Sequence, residues 1–330
     1  LPVKQLIVNA DDFGADRCRD EGIAAAVAAG VVTAVSVLAN GPATVQDLPL
    51  LLAWQRQGIS VGLHFNLSEG HPRQRAPRLL VGRDGCFLGK TATQEALRRR
   101  GDTALEREIE RELAAQIACL REMGLRIGHL DGHQHVHIFP AAFPAVLRAV
   151  VRYGIPRLRV PAEPVPVFPE KTTGRMDTGP NGGKGKATAA MASPPTHPVL
   201  AGTAPLSGRA GSVPDESLYR EAAMFSRLAA AARPYLAGSA VGTTDHFRGL
   251  FLKGHLTLPR LEGVLRGLPD GTTELMVHPG RAPAVPPAGP FAAFSGAGRE
   301  VELQALLAVR LREVWREENI ALISHLETRR

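Results

Sequence analysis

Two adjacent carboxylates, Asp11 and Asp12, follow the apolar run Leu6-Ile7-Val8 within Asn9-Ala10-Asp11-Asp12-Phe13-Gly14. Histidines close three later apolar runs. His64 stands in Gly62-Leu63-His64-Phe65-Asn66, His278 in Glu274-Leu275-Met276-Val277-His278-Pro279-Gly280, and a cluster spans His129 to His137. Two imidazoles and one carboxylate form a common ligand set for a divalent metal that keeps open positions. Such a metal acidifies water and polarises a carbonyl. A second carboxylate can then act as general base and a further histidine as general acid. The inventory suits metal-assisted hydrolysis of an amide or ester. The residues alone do not choose among His133, His135 and His137, which share one face if the strand before them continues.

These groups gain meaning from the elements that must carry them. Short apolar runs predict strands at 4–9, 33–39, 59–64, 126–131, 156–160, 239–243, 273–277 and 320–324. Helical patterns fall near 17–29, 44–56, 102–123, 141–153, 217–236, 257–267 and 299–318. In the third of these, Asp102 is a candidate N-cap and Leu105, Ile109, Leu113 and Ile117 recur every four residues, which leaves Glu106, Glu108, Glu110 and Arg111 to face water. The last helix carries Leu303, Leu307, Leu311 and Val314 on one side. Repeated β-then-α units imply a parallel sheet, and seven or eight of them suggest a distorted (β/α) barrel. Asp11, His64, His133 and His278 then lie at C-terminal strand ends, which converge on one face of a barrel. Neighbours on an extended strand point to opposite faces, so Asp11 and Asp12 need irregular backbone to serve one site, and Gly14 is the candidate to supply it.

The chain has 330 residues, 44% hydrophobic and 22% charged, as expected of a globular protein. A single domain over 1–330 is expected. Residues 169–214 hold 8 Gly and 7 Pro among 46 positions, which predicts a disordered or lid insertion; a weaker one is expected at 70–100. Three widely spaced cysteines argue against a disulfide framework, and Cys18 and Cys119 read as packing residues. The net charge of +7 comes with no nucleic-acid motif, and its arginines are scattered over helices, so no nucleic-acid partner is expected. No apolar run is long enough for a membrane span, and Val3 to Val8 is too short for a leader, so residence in the cytoplasm is the expectation. Composition leaves a homodimer open.

The blocks NADDFG, GLHFNLSEG, HLDGHQHVHIFP and ELMVHPG, in that order, resemble the YdjC-like carbohydrate deacetylase family. Its members include chitooligosaccharide deacetylases and hopanoid-associated homologues. The resemblance covers about residues 4–160 and resumes at about 239–324. It implies a distorted (β/α) barrel that removes acetyl groups from N-acetylated sugars with one divalent metal ion, Mg2+ or Zn2+. By the resemblance, Asp12, His64 and His133 bind the metal, Asp11 is the general base and His278 the general acid. His135 and His137 become substrate contacts or supports of the loop. Asn66, Glu69, Arg159 and Asp245 are further candidates for the sugar pocket, Arg159 also for orienting Asp11. The 169–214 segment departs from the family where a substrate-facing loop is expected, so no relative's substrate carries over. Aromatic residues make up only 5% of the chain, which favours a small sugar or a glycolipid headgroup over polymeric chitin.

Two other readings compete. An amidohydrolase-like enzyme would use His133 and His135 as a His-x-His metal pair. A sugar-binding protein would keep the metal pocket without turnover, but would need neither Asp11 nor His278. A kinase reading of Asp12-Phe13-Gly14 fails for want of a glycine-rich loop with a strand lysine and of a catalytic His-Arg-Asp.

Overall fold

The computed structural model describes residues 4–99, 101–165, 216–285 and 287–328; the predicted insertion at 169–214 lies outside them. The chain begins with β1 (Lys4–Phe13), α1 (Arg17–Ala28), β2 (Ala34–Val37), α2 (Leu48–Arg56) and β3 (Ser60–Phe65). Then come α3 (Lys90–Leu97), α4 (Thr103–Glu122), β4 (Leu130–Gly132), a 3-10 turn over His133–Ile138 and α5 (Phe143–Arg152). The last part holds α6 (Glu216–Ala232), β5 (His246–Arg248), α7 (Leu258–Arg266), β6 (Gly271–Val277), α8 (Ala297–Leu307), α9 (Val309–Glu317) and β7 (Ile320–Leu322).

Among the described residues, seven strands form one parallel sheet in the order β4-β3-β2-β1-β6-β5, with β7 also on β1. β1 is the hub. Its first seven residues pair with β6, from Lys4 opposite Gly271 to Ala10 opposite Val277. Its other edge takes β7 at the start and β2 at the end. Isolated parallel bridges, Leu130 to Leu158 and Arg157 to Gly242, carry the pairing onward from β4. From Gly242 the chain enters β5, which pairs with β6. The sheet is thus curled into a half-barrel wrapped by helices, the expected (β/α) barrel in distorted form.

Strand alternation separates two kinds of core. Leu6, Val8, Ala10, Val35, Val37, Val61, Leu63 and Leu275 belong to the apolar layer beneath the helices. The intervening residues are polar and equally buried: Asn9, Ser36, Ser60, His64, His129, Asp131 and Glu274. They satisfy one another inside the curl, with Asn9 Nδ2 donating to Ser36 Oγ at 2.8 Å and Ser36 Oγ to Asp131 Oδ2 at 2.6 Å. Gly62 is the gap in this lining. A Cβ there would collide with the His129 imidazole, so only glycine admits the ring.

The structure moves several predicted boundaries. The 156–160 and 239–243 runs form single bridges rather than strands. The next strand starts later, at His246, and the predicted weak insertion contains α3. The final helix breaks at Ala308, whose backbone is extended (φ −63°, ψ 130°). In α4 the apolar stripe and the Asp102 cap hold, with Asp102 accepting from the Ala104 and Leu105 N–H groups. Glu108, however, does not face water. Its buried carboxylate accepts from the backbone N–H groups of Arg78, Leu79 and Leu80 at 2.8–3.0 Å, and Glu112, one turn on, accepts from those of Arg73 and Gln74. Periodicity misses this because α4 packs under the 70–89 segment, whose backbone needs acceptors. Glu108→Ala is expected to cost about 2–3 kcal/mol, the scale of lost hydrogen bonds to a buried charged group, read as a lower urea midpoint.

Candidate metal and hydrolytic site

β1 carries both aspartates to one place through a bulge at its end. Ala10 pairs with Val35, and the next pair is Phe13 with Val37, so β1 has one residue more than β2 across this step. Asp12 absorbs the excess with φ of 72°. The irregularity that the sequence requires therefore sits in the carboxylate residue itself. Asp and Asn enter this left-handed region more readily than other side chains.

His64 is the penultimate residue of β3, and His133 opens the 3-10 turn after β4. Their rings meet Asp12. Asp12 Oδ1 lies 2.8 Å from His133 Nδ1 and 3.2 Å from His64 Nε2, and the two nitrogens are 3.4 Å apart. One carboxylate oxygen and two imidazole nitrogens thus converge at a spacing that a single divalent ion spans, and all three residues are buried. This donor set fits such an ion. Each ring is gripped from behind by a carboxylate: His64 Nδ1 by Asp131 Oδ1 at 2.7 Å, and His133 Nε2 by Glu69 Oε2 at 2.8 Å.

Asp11 borders the same cavity from the other side of the bulge. Arg159 binds it in a fork, Nη1 to Oδ2 and Nη2 to Oδ1, both at 2.7 Å, and Asn9 Nδ2 donates to Oδ1 at 2.7 Å. The same guanidinium reaches Asp131 Oδ2 at 2.8 Å and Glu274 Oε1 at 2.7 Å. Burial pushes the Glu274 carboxyl up to about 7 against the pull of Arg159. Burial would also raise Asp12, but Arg299, ion-paired to its Oδ2, and His133 hold it well below the usual carboxylate range. For His64 burial works downward, yet Asp131 and Asp11 raise the imidazole to about 10.

His278 follows β6 and faces this cavity. Burial, with Lys253 and Arg299 nearby, keeps its imidazole well below the ordinary range. Its backbone N–H donates to Glu302 Oε2 at 2.7 Å, and the edge of Phe294 packs on the ring with 5.4 Å between centroids. Helix α6 lies across the opening, where Leu218, Ala222 and Phe225 line the cavity and Glu221 pairs with Lys90 at 2.6 Å.

Four of the candidate sugar contacts are placed elsewhere by the structure. Asp245 is exposed and accepts from the Thr272 N–H at 2.8 Å. Because β5 begins at His246, Asp245 precedes that strand and lies at the opposite end of the barrel from His278. Arg159 is enclosed and bound by three carboxylates, Asp11 among them, which matches the second of the two positions expected for it. Asn66 is fully buried and caps a turn, its Oδ1 accepting from the N–H groups of Ser68 and Glu69. His137 is fully buried, with Nε2 3.1 Å from the Arg159 carbonyl oxygen. His135 does line the cavity, its ring edge-on to Phe225 at 4.7 Å. Gln134 and His135 both take positive φ (51° and 56°), which breaks strand alternation. His133 and His135 both line the cavity, but among the described residues the donor group at Asp12 pairs His133 with His64 rather than with His135.

Sequence reasoning missed Asp131, Glu274, Arg299, Lys253 and Glu302. Asp131 carries a signal, since it lies on the strand that leads into His133; Arg299 and Glu302 lie in the first half of a helix with no distinguishing pattern and carry none.

A family model described as "YdjC-like protein" matches residues 5–317. The chain belongs to the YdjC-like family. Similar proteins include a carbohydrate deacetylase of Mus musculus, 35% identical over 350 aligned residues that cover all of this chain and 97% of that one. A carbohydrate deacetylase of Homo sapiens is 42% identical over 37% of each chain. A chitooligosaccharide deacetylase of Salmonella paratyphi B is 43% identical over 28% of this chain and 34% of its own. In architecture, this YdjC-like chain matches an Enterococcus faecalis V583 protein described as a cellobiose-phosphate cleavage protein, with a TM-score of 0.63 over 98% of both chains at 19% identity; that likeness carries the fold. No described helix is long and apolar enough to cross a membrane.

Proposed function

We propose that this protein is a divalent-metal-dependent hydrolase that removes the acetyl group from an N-acetylated sugar or glycolipid headgroup. The observation that carries the reading is that Asp11 and His278 stand in the wall of the same cavity as the Asp12, His64 and His133 donors. Relatives named for deacetylation of carbohydrates point to the substrate class.

Asp12, His64 and His133 would hold the ion, and two nitrogen donors favour a zinc-like ion over Mg2+. Such an ion supplies Lewis-acid polarisation of the acetyl carbonyl and acidifies water. The remaining work falls to the chain's own groups. Arg159 and Asn9 occupy three acceptor positions on Asp11, which leaves an Oδ2 lone pair to take a proton from water. An amine leaves an amide only once its nitrogen is protonated, and His278 is the imidazole in reach of that step. A buried imidazole beside Lys253 and Arg299 binds a proton weakly, so a proton arriving on it passes readily to the nitrogen. Asp131 and Glu274 steady Arg159, and through it Asp11.

The test is acetate release by the metal-reconstituted protein across N-acetylated mono- and disaccharides, nucleotide sugars and glycolipids. Acetate from none of them, with metal bound, would overturn the sugar deacetylase reading. His64→Ala is expected to lose the metal, measured by elemental analysis after dialysis; full occupancy in that variant would remove His64 from the ligand set.

A further inference from the structure

Glu69 stands behind His133, and its surroundings are built to keep it there. Its Oε2 lies 2.8 Å from His133 Nε2, on the ring edge opposite Nδ1, which faces Asp12. The Glu69 side chain is 16% exposed, and the residue is not part of the cavity wall formed by Asp11, Asp12, His64, His133 and His278. Its backbone is held from two sides. Asn66 Oδ1 accepts from the Glu69 N–H at 3.2 Å, Asn66 Nδ2 donates to the Glu69 carbonyl at 2.7 Å, and Asn40 Nδ2 donates to that carbonyl at 3.0 Å. The fully buried Asn66 thus shapes the turn that delivers the Glu69 carboxylate to the ring.

His64 has the same arrangement in reverse, with Nε2 toward Asp12 and Nδ1 on Asp131. The two imidazoles point different nitrogens at one donor centre, and each is backed by a carboxylate. A carboxylate on the far nitrogen fixes ring orientation and tautomer and makes the near nitrogen a better donor, and removing such a partner costs roughly 10–100-fold in metal affinity.

We propose that Glu69 is a positioning residue that orients His133 and sets the affinity of this centre for a divalent cation, and is not a sugar contact. This inference rests on the metal reading above. Its probe is Zn2+ alone, titrated against a competing chelator into the full chain as wild type, Glu69→Ala and Glu69→Gln, with melting curves to establish folding. Glu69→Ala is expected to bind Zn2+ roughly 10–100-fold more weakly, with Glu69→Gln between it and wild type. Wild-type Zn2+ affinity in a folded Glu69→Ala, accompanied by a raised KM at unchanged kcat, would overturn the proposal and return Glu69 to the sugar pocket. If Glu69→Ala does not fold, the near-isosteric Glu69→Gln decides, weaker Zn2+ binding supporting the proposal and unchanged binding refuting it. A wild-type protein that binds no divalent ion would instead bring down the metal reading itself.

Discussion

Asp11→Asn is expected to release acetate at least about a hundredfold more slowly than wild type, the usual scale for losing a positioned base, while keeping its metal. An amide at this position can still accept from Asn9 or Arg159, but it has no lone pair basic enough to take a proton from water. Arg159 keeps two carboxylate partners, Asp131 and Glu274, so the fold survives the change. The proposed ligand set of Asp12, His64 and His133 does not include Asp11, which instead falls in a second acidic group with His64 and Asp131, so metal content should match wild type if the ion sits at Asp12. Wild-type turnover by this variant would rule Asp11 out as the base. Loss of metal along with activity would show that Asp11 supports the ion as well.

Arg159→Leu should have the largest effect on stability. The guanidinium is almost fully enclosed, within 2.7–2.8 Å of oxygens of Asp11, Asp131 and Glu274. Breaking a buried ion pair by removing one partner costs about 3–5 kcal/mol, because the remaining charge has no compensation. Three carboxylates in one polar interior put this site at the upper end. The penalty depends on pH. Glu274 titrates at about 7 in the folded protein, above its ordinary 4.5, so its contribution is fully present below the unfolded value and is lost as the pH rises through about 7. Without Arg159, whose charge pulls it down, the Glu274 carboxyl holds its proton to still higher pH. The deficit should therefore deepen above neutrality, as read from urea unfolding on either side of about pH 7. A deficit independent of pH would mean that the substitution destabilises by packing rather than by charge.

The barrel was legible because its strands advertise themselves twice. Runs such as Leu6-Ile7-Val8 and Val61-Gly62-Leu63 mark the sheet, and the polar residue that ends each marks the face where side chains meet. The fate of individual residues was less legible. Glu108 occupies a regular outward position of α4 by sequence, and only the loop beneath it makes that position an interior one. Asp245 was displaced by a late start of β5, since parallel strands reverse the meaning of a residue when their boundary moves past it. Which way His135 and His137 turn depends on two consecutive positive φ values, at Gln134 and His135, which no composition announces. Arg299 reaches Asp12 from 287 positions away, a contact that exists only once the sheet has closed α8 against α1.

The bulge at Asp12 also bears on which substitutions the protein can tolerate. A residue at this point must accept a left-handed backbone and must offer an anionic oxygen to the two imidazoles. Asn and Gly meet the first demand and fail the second. Glu meets the second, but adds a methylene in a closed space and adopts the backbone less willingly. No exchange satisfies both, so a mutational scan should find position 12 intolerant even of its closest chemical relatives. Position 11, which carries the same functional group on ordinary backbone, should be refused on chemical grounds alone.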